Sequence, residues 1–196
     1  MYKKQLTVQK IVCFAAIAAC ALAFVYALGL MTDLYDGLYF LMPDYNTPSM
    51  DKLEGARIYY NMQPFNKLLL NRSILLLLVA CALFLTNTHS RRRYYIGNGI
   101  SNGVFVAAGV AFCLWMHKEV EAFRAEFLQI DFEAYQKLTA DGRGNFINST
   151  FWFDVHYAVM AVILVVCLLL ILNFAWKMAL QKQEKRLIEE GKKGTV

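Results

Sequence analysis

The sequence predicts an all-α membrane protein: an antiparallel four-helix transmembrane bundle with an outward helical extension of the third span. Three observations predict it. Of 196 residues, 58% are hydrophobic and only 18% charged, against roughly 25% charged in an ordinary soluble domain. The apolar residues gather into four charge-free runs, 11–31, 73–88, 94–116 and 157–176. Helical spacing of apolar residues then continues past the third run to residue 138. A hydrocarbon core of ~30 Å takes ~20 helical residues, which the first, third and fourth runs supply directly. The second is long enough when Lys67 and Arg72 extend their charges to the interface. The expected spans are 11–31, 68–88, 94–116 and 152–176 in one domain, 1–196. Outer loops at 32–67 and 117–151 and an inner tail at 177–196 complete it.

The first run, IVCFAAIAACALAFVYALGLM, exceeds the ~7–15-residue core of a signal peptide. Ile17-Ala18-Ala19-Cys20 has the small-residue-then-cysteine pattern of lipoprotein processing, but the residues after Cys20 stay apolar. An uncleaved anchor is expected. Ala15, Ala19, Ala23 and Ala27 recur at every fourth position, a spacing that lets helix backbones approach closely in lipid.

The first outer segment is punctuated by Pro43, Asn46 and Pro48. Thr47 or Ser49 suits the cap of a short helix over roughly 49–62, with Pro64 shortly after its end. Tyr35, Tyr39, Tyr45, Tyr59 and Tyr60 stand beside Asp33, Asp36 and Asp44. That is the composition of an interfacial aromatic belt, and equally of a sugar-binding surface.

Between the second and third runs lies NTHSRRRYYIGNGISNG, 87–103. With the N-terminus in the cytoplasm, twelve of the twenty basic residues fall on that side, including Arg91, Arg92 and Arg93. Only Glu184, Glu189 and Glu190 accompany them as acids. The positive-inside rule therefore puts both termini in the cytoplasm, and the arginines also suit anionic lipid headgroups. Gly99, Gly103, Ala107 and Ala111 form a small-residue line down the third span. Asn98 and Asn102 lie one turn apart in it. A bare amide in hydrocarbon is costly, so they are expected to face Asn87 on the second span or Asn173 on the fourth.

Beyond Trp115, Val120, Phe123, Phe127, Ile130, Ala134 and Leu138 are spaced by three and four, one stripe of a helix. No breaker interrupts them, so the third helix is expected to project ~30 Å further at 1.5 Å per residue. Its stripe must bury against the first outer loop or a partner protein. The fourth helix is expected to start at a cap among Asn148, Ser149 and Thr150 and to run on into the tail, ending near Gly191.

Chemistry is sparse. All five cysteines, 13, 20, 81, 113 and 167, lie in apolar runs, with no C-x-x-C and no pair in an outer loop. They read as small packing residues and exclude a disulfide-stapled outer domain or a thiol oxidoreductase. No ionisable residue sits deep in a span, where proton relays and ion-coupled carriers place them. No phosphate-binding G-x-x-x-x-G-K-[ST] occurs. The nearest thing to a reactive constellation is at the outer mouth. His117 closes the third span, and Asp154 and His156 open the fourth within NSTFWFDVHY. Antiparallel neighbours would bring His117 and His156 together, with Asp154 or Glu121 nearby, and a metal or haem site is the alternative there. Interfacial hydrogen bonding with no metal is the expectation, because Asp154 and His156 are two apart and share no helix face, and no H-x-x-x-H or H-E-x-x-H occurs. Phe151, Trp152, Phe153 and Tyr157 read as an interfacial anchor.

FLTNTHSRRRYYIGN (84–98), STFWFDVHY (149–157) and KQEKRLI (182–188) together resemble a group of small bacterial four-span proteins found in gene neighbourhoods of carbohydrate ABC importers. The resemblance implies a membrane partner, the importer's permease pair, and no catalytic residues. The expected function is a non-catalytic accessory or scaffold subunit of a bacterial inner-membrane complex, without cofactor or nucleic acid. It would dock through its small-residue faces and the outer stripe. The alternatives are a transporter or channel formed by an oligomer around Asn98, Ser101 and Asn102, and a metal- or haem-containing redox protein centred on His117 and His156.

Overall fold

The computed structural model describes residues 2–39, 55, 57–88, 95–138 and 149–193. Every regular element among them is helical. In chain order these are α1 (Tyr2–Gly29), a π-helical turn (Leu30–Leu34), α2 (Tyr35–Tyr39), α3 (Ile58–Thr88), α4 (Tyr95–Phe127), α5 (Phe132–Leu138) and α6 (Phe151–Lys193). Four stretches are long and apolar enough to cross a bilayer: Lys3–Tyr39, Ile58–Thr88, Tyr95–Phe127 and Phe151–Gly191. α1 packs against α3 and α6, and α4 packs against the same two helices from the other side.

Each long helix buries one narrow face and leaves large apolar residues outside. On α1, Cys13, Ala16, Ala19, Cys20, Ala23 and Ala27 are buried, while Ile11, Phe14 and Val25 are exposed. A helix apolar all round suits lipid rather than water. Ala19, Ala23 and Ala27 thus stand in the interior, with Ala15 half-buried at its edge.

The α4 line behaves differently from the expectation. Gly103, Ala107 and Ala111 face outward, and a Cβ on Gly103 would meet nothing within 4 Å. A Cβ on Gly99 would meet the Phe174 ring at 3.0 Å. The interior face of α4 instead carries Asn98, Asn102, Phe105, Gly109, Phe112 and Cys113. Neighbouring positions on a helix are ~100° apart, so burying the amides turns the small residues out. The amides prevail because an unpaired amide in hydrocarbon costs far more than an exposed glycine. The close approach on α4 falls at Gly109, where a Cβ would lie 3.2 Å from Cys167 Sγ.

Amides link all four long helices at one end. Asn87 Nδ2 donates to Asn102 Oδ1 at 2.8 Å, and Ser101 Oγ donates to Asn87 Oδ1 at 3.3 Å. Gln9 Nε2 donates to the Asn87 carbonyl at 2.7 Å. Gln5 Nε2 reaches Gln9 Oε1 at 3.1 Å and Asn173 Oδ1 at 3.3 Å. Gln5 and Gln9 precede the first apolar run, so hydropathy does not mark them as buried.

Three boundaries differ from expectation. α3 begins at Ile58 and passes through Pro64, which therefore does not follow a separate short helix; residues 49–54 lie outside the described set. The outward helix does not run unbroken to Leu138. α4 ends at Phe127, and Asp131 starts α5 by accepting the Ala134 N–H at 3.0 Å, the aspartate N-cap geometry. The stripe of the extension is consumed within the chain. Val120, Phe127 and Ile130 are buried and Phe123 half-buried. Phe123 packs on Phe65 and Phe127 on Phe153, each with ring centroids 5.1 Å apart. Among the described residues these members of the stripe face the chain's own helices; the Leu138 side chain lies outside the described residues. α6, in contrast, runs from Phe151 to Lys193 as one helix.

Candidate metal centre

At the end opposite the amides, α4 and α6 meet through two histidines. His117 and Glu121 are one turn apart on α4 and share a face. His156 lies in the second turn of α6 and is fully buried. The start of α6 is fixed locally. Ser149 Oγ accepts the Phe151 N–H at 3.2 Å, and the Thr150 carbonyl accepts the Asp154 N–H at 2.9 Å. Trp152 Nε1 donates to Asp33 Oδ2 at 2.5 Å, and its indole lies directly over Gly29. A Cβ there would come within 2.0 Å of the ring, so only glycine admits the tryptophan.

His156 Nδ1 is hydrogen-bonded to the Phe153 carbonyl. A carbonyl only accepts, so the proton is on Nδ1 and the Nε2 lone pair is directed away. That Nε2 lies 3.1 Å from His117 Nδ1 and 3.7 Å from Glu121 Oε1. One donor atom from each of His117, Glu121 and His156 falls within a 4.8 Å cluster. Bonds of ~2.0–2.1 Å to a common ion, at angles near those of a tetrahedron or octahedron, hold nitrogen ligands ~2.9–3.4 Å apart. The histidine pair already has that separation.

Supporting groups orient this set. Tyr157 Oη donates to Glu121 Oε1 at 2.7 Å. Arg124 lies 3.9 Å from Glu121 Oε2 and 3.1 Å from Asp154 Oδ1, and Thr150 Oγ1 donates to Asp154 Oδ2 at 2.7 Å. Asp154 therefore serves Arg124 and the helix start rather than the histidine cluster. A backbone carbonyl on the non-ligating imidazole nitrogen and a hydroxyl on the carboxylate are the usual outer contacts of a metal site. The arrangement suits a divalent transition metal held by two imidazoles and one carboxylate with positions left open, as for zinc or ferrous iron. It does not suit haem. Two axial imidazoles would hold nitrogens ~4 Å apart across a macrocycle, given ~2.0 Å bonds. Here the rings stack with centroids 5.4 Å apart, leaving no room for one.

Sequence reading places His117, Glu121 and His156 in the same neighbourhood but reads Tyr157 as a membrane anchor and does not single out Arg124. The available signal was the H-x-x-x-E spacing of His117 and Glu121. Asn98 and Asn102 are buried at the far end with Asn87, remote in sequence position from this cluster. His89 and the three arginines at 91–93 lie outside the described residues. Compared with protein-family models, with curated proteins and with solved structures, the chain matches none.

Proposed function

We propose that this chain is a multi-pass membrane protein that binds a divalent transition-metal ion through His117, Glu121 and His156 at the outer mouth of an antiparallel four-helix bundle. The observation that carries the reading is the His156 ring. With Nδ1 committed to the Phe153 carbonyl, its Nε2 lone pair opens onto His117 Nδ1 at 3.1 Å and Glu121 Oε1 at 3.7 Å. Two helices that both cross the bundle supply the donors, so the site is built on rigid elements. Both termini lie in the cytoplasm in this reading. Support comes from the basic residues outside the spans and from Gln5 meeting Asn173 at 3.3 Å. The setting is a bacterial inner membrane.

The test is metal analysis of protein purified in mild detergent, stripped with chelator and dialysed against zinc. The reading expects one tightly held ion per chain, lost in His117→Ala and in His156→Leu. An unaltered metal content in both variants contradicts it.

One further observation favours a second reading, the accessory subunit. Gly103, Ala107 and Ala111 form an exposed small-residue line on α4, and among the described residues nothing stands within 4 Å of a Cβ at Gly103; such lines associate helices in lipid. A carbohydrate importer's permease pair is the partner that the resemblance suggests. Mild-detergent pull-down with mass spectrometry tests it; a chain that is always alone and monomeric counts against it.

A further inference from the structure

A second cavity lies apart from the histidines, between the end of α1 and the first turns of α3. It has a volume of about 520 Å³, within the ~300–1,000 Å³ range of small-ligand sites. Met31 of the π-helical turn and Tyr35 of α2 form one wall, and Gln63, Pro64, Asn66 and Lys67 of α3 form the other. Asn66 is only 4% exposed, and neither its amide nitrogen nor its amide oxygen has a partner among the described residues. The Tyr35 hydroxyl is buried and unpartnered in the same way. Buried polar atoms are satisfied in the great majority of cases. Three unsatisfied ones on two residues that line one cavity call for a bound group.

Both helices are irregular at this level. The turn at Leu30–Leu34 is π-helical, a distortion frequent at functional sites. Across from it, Pro64 has no N–H to give the Tyr60 carbonyl. In membrane helices such irregularity is tolerated where it lines a cavity.

We propose that this cavity binds a phospholipid headgroup that carries a hydrogen-bond donor, of the phosphatidylethanolamine or phosphatidylglycerol kind. Among the described lining residues Lys67 is the cation and none is a carboxylate, which favours an anionic group. Asn66 Nδ2, Tyr35 Oη, Lys67 Nζ and the Gln63 amide are donors for phosphate oxygens. Asn66 Oδ1 accepts, and its complement is an ammonium N–H or a hydroxyl beyond the phosphate; the trimethylammonium of choline has no hydrogen to donate. The Met31 and Leu70 side chains extend the lining in apolar fashion toward an acyl chain. Lipid is the chosen source because the cavity is walled by α3, a helix long and apolar enough to cross a bilayer, which exposes Leu68 and Ile74.

The experiment is native mass spectrometry and thermal melting of delipidated protein given phosphatidylethanolamine, phosphatidylglycerol or phosphatidylcholine. The first two are expected to be retained about tenfold over the third, the worth of one charge-assisted hydrogen bond, and to raise the melting temperature. Asn66→Leu removes the selectivity and the lipid-dependent rise. Because it also removes an unpaired buried amide, that variant melts no lower than the native chain without lipid, so lost selectivity is not lost folding. Tyr35→Phe weakens retention of both donor-bearing lipids. Equal retention of all three lipids, or undiminished selectivity in Asn66→Leu, overturns the proposal. Free glycerol phosphate binding as strongly as the lipid overturns the membrane as the source.

Discussion

At the scale of single residues, two side-chain systems at opposite ends do unlike work. Asn87 ties α3 to α4 through Asn102 and receives Gln9 from α1 on its carbonyl. Interhelical polar bonds of this kind in membranes average ~0.6 kcal/mol and reach ~1.7 kcal/mol. Asn102→Leu is therefore expected to destabilise the chain by about 1 kcal/mol, with a similar coupling to Asn87→Leu in a double-mutant cycle read by denaturation in detergent. At the other end, Tyr157→Phe removes the hydroxyl that holds Glu121 without touching a ligand. Loss of such an outer contact costs ~10–100-fold in metal affinity, measurable by zinc titration. Both imidazoles must be neutral to ligate, so acidification expels the ion. Raising the pH back restores it, which a metal indicator follows directly. The asparagines were readable from sequence because an amide inside an apolar run stands out. Gln5, Gln9 and Tyr157 were not, because each lies where polar or amphipathic residues are expected anyway.

At the scale of elements, the long helices and both ends of α6 were legible, whereas the start of α3 and the end of α4 were not. Runs free of charge mark the spans, since each backbone polar group in lipid must be satisfied within a helix. The break after Phe127 was hidden because Asp131 interrupts no apolar spacing, and only its capping bond to Ala134 reveals its role. Asp131→Ala is expected to cost ~1 kcal/mol, the usual worth of such a cap, and to speed amide exchange in α5 selectively. Which face of α4 turns inward was also beyond the pattern, since two candidate lines one residue apart compete for it. The glycines separate cleanly by contact. Gly29→Ala drives a methyl into the Trp152 indole, an overpacking worth ~1–3 kcal/mol. Gly103→Ala meets open space and gains up to ~1 kcal/mol of helix propensity. Thermal melts of the two variants should therefore move in opposite directions. Gly29 carries no sequence signal of this role, because its constraint comes from Trp152 in a helix 123 positions later.

At the scale of the molecule, the account is a frame of four long helices with a polar clasp at one end and a metal-ligand cluster at the other. Four helices long and apolar enough to cross a bilayer follow from composition and run length alone. The meeting of His117 and His156 was legible from antiparallel order; that Glu121 and not Asp154 joins them required the third dimension, because Arg124 and Thr150 take Asp154. Orientation is tested by cysteine labelling on a background in which the five native cysteines are replaced: Glu119→Cys is expected to label from outside and Gln183→Cys only after permeabilisation. Labelling of both from the same side contradicts the topology. The central claim is tested most directly by X-ray absorption spectroscopy of the zinc-loaded protein. The account predicts a first shell of nitrogen and oxygen ligands at ~2.0–2.1 Å, with the outer-shell scattering of two imidazoles. A shell containing sulfur, or one with no imidazole scattering, contradicts it.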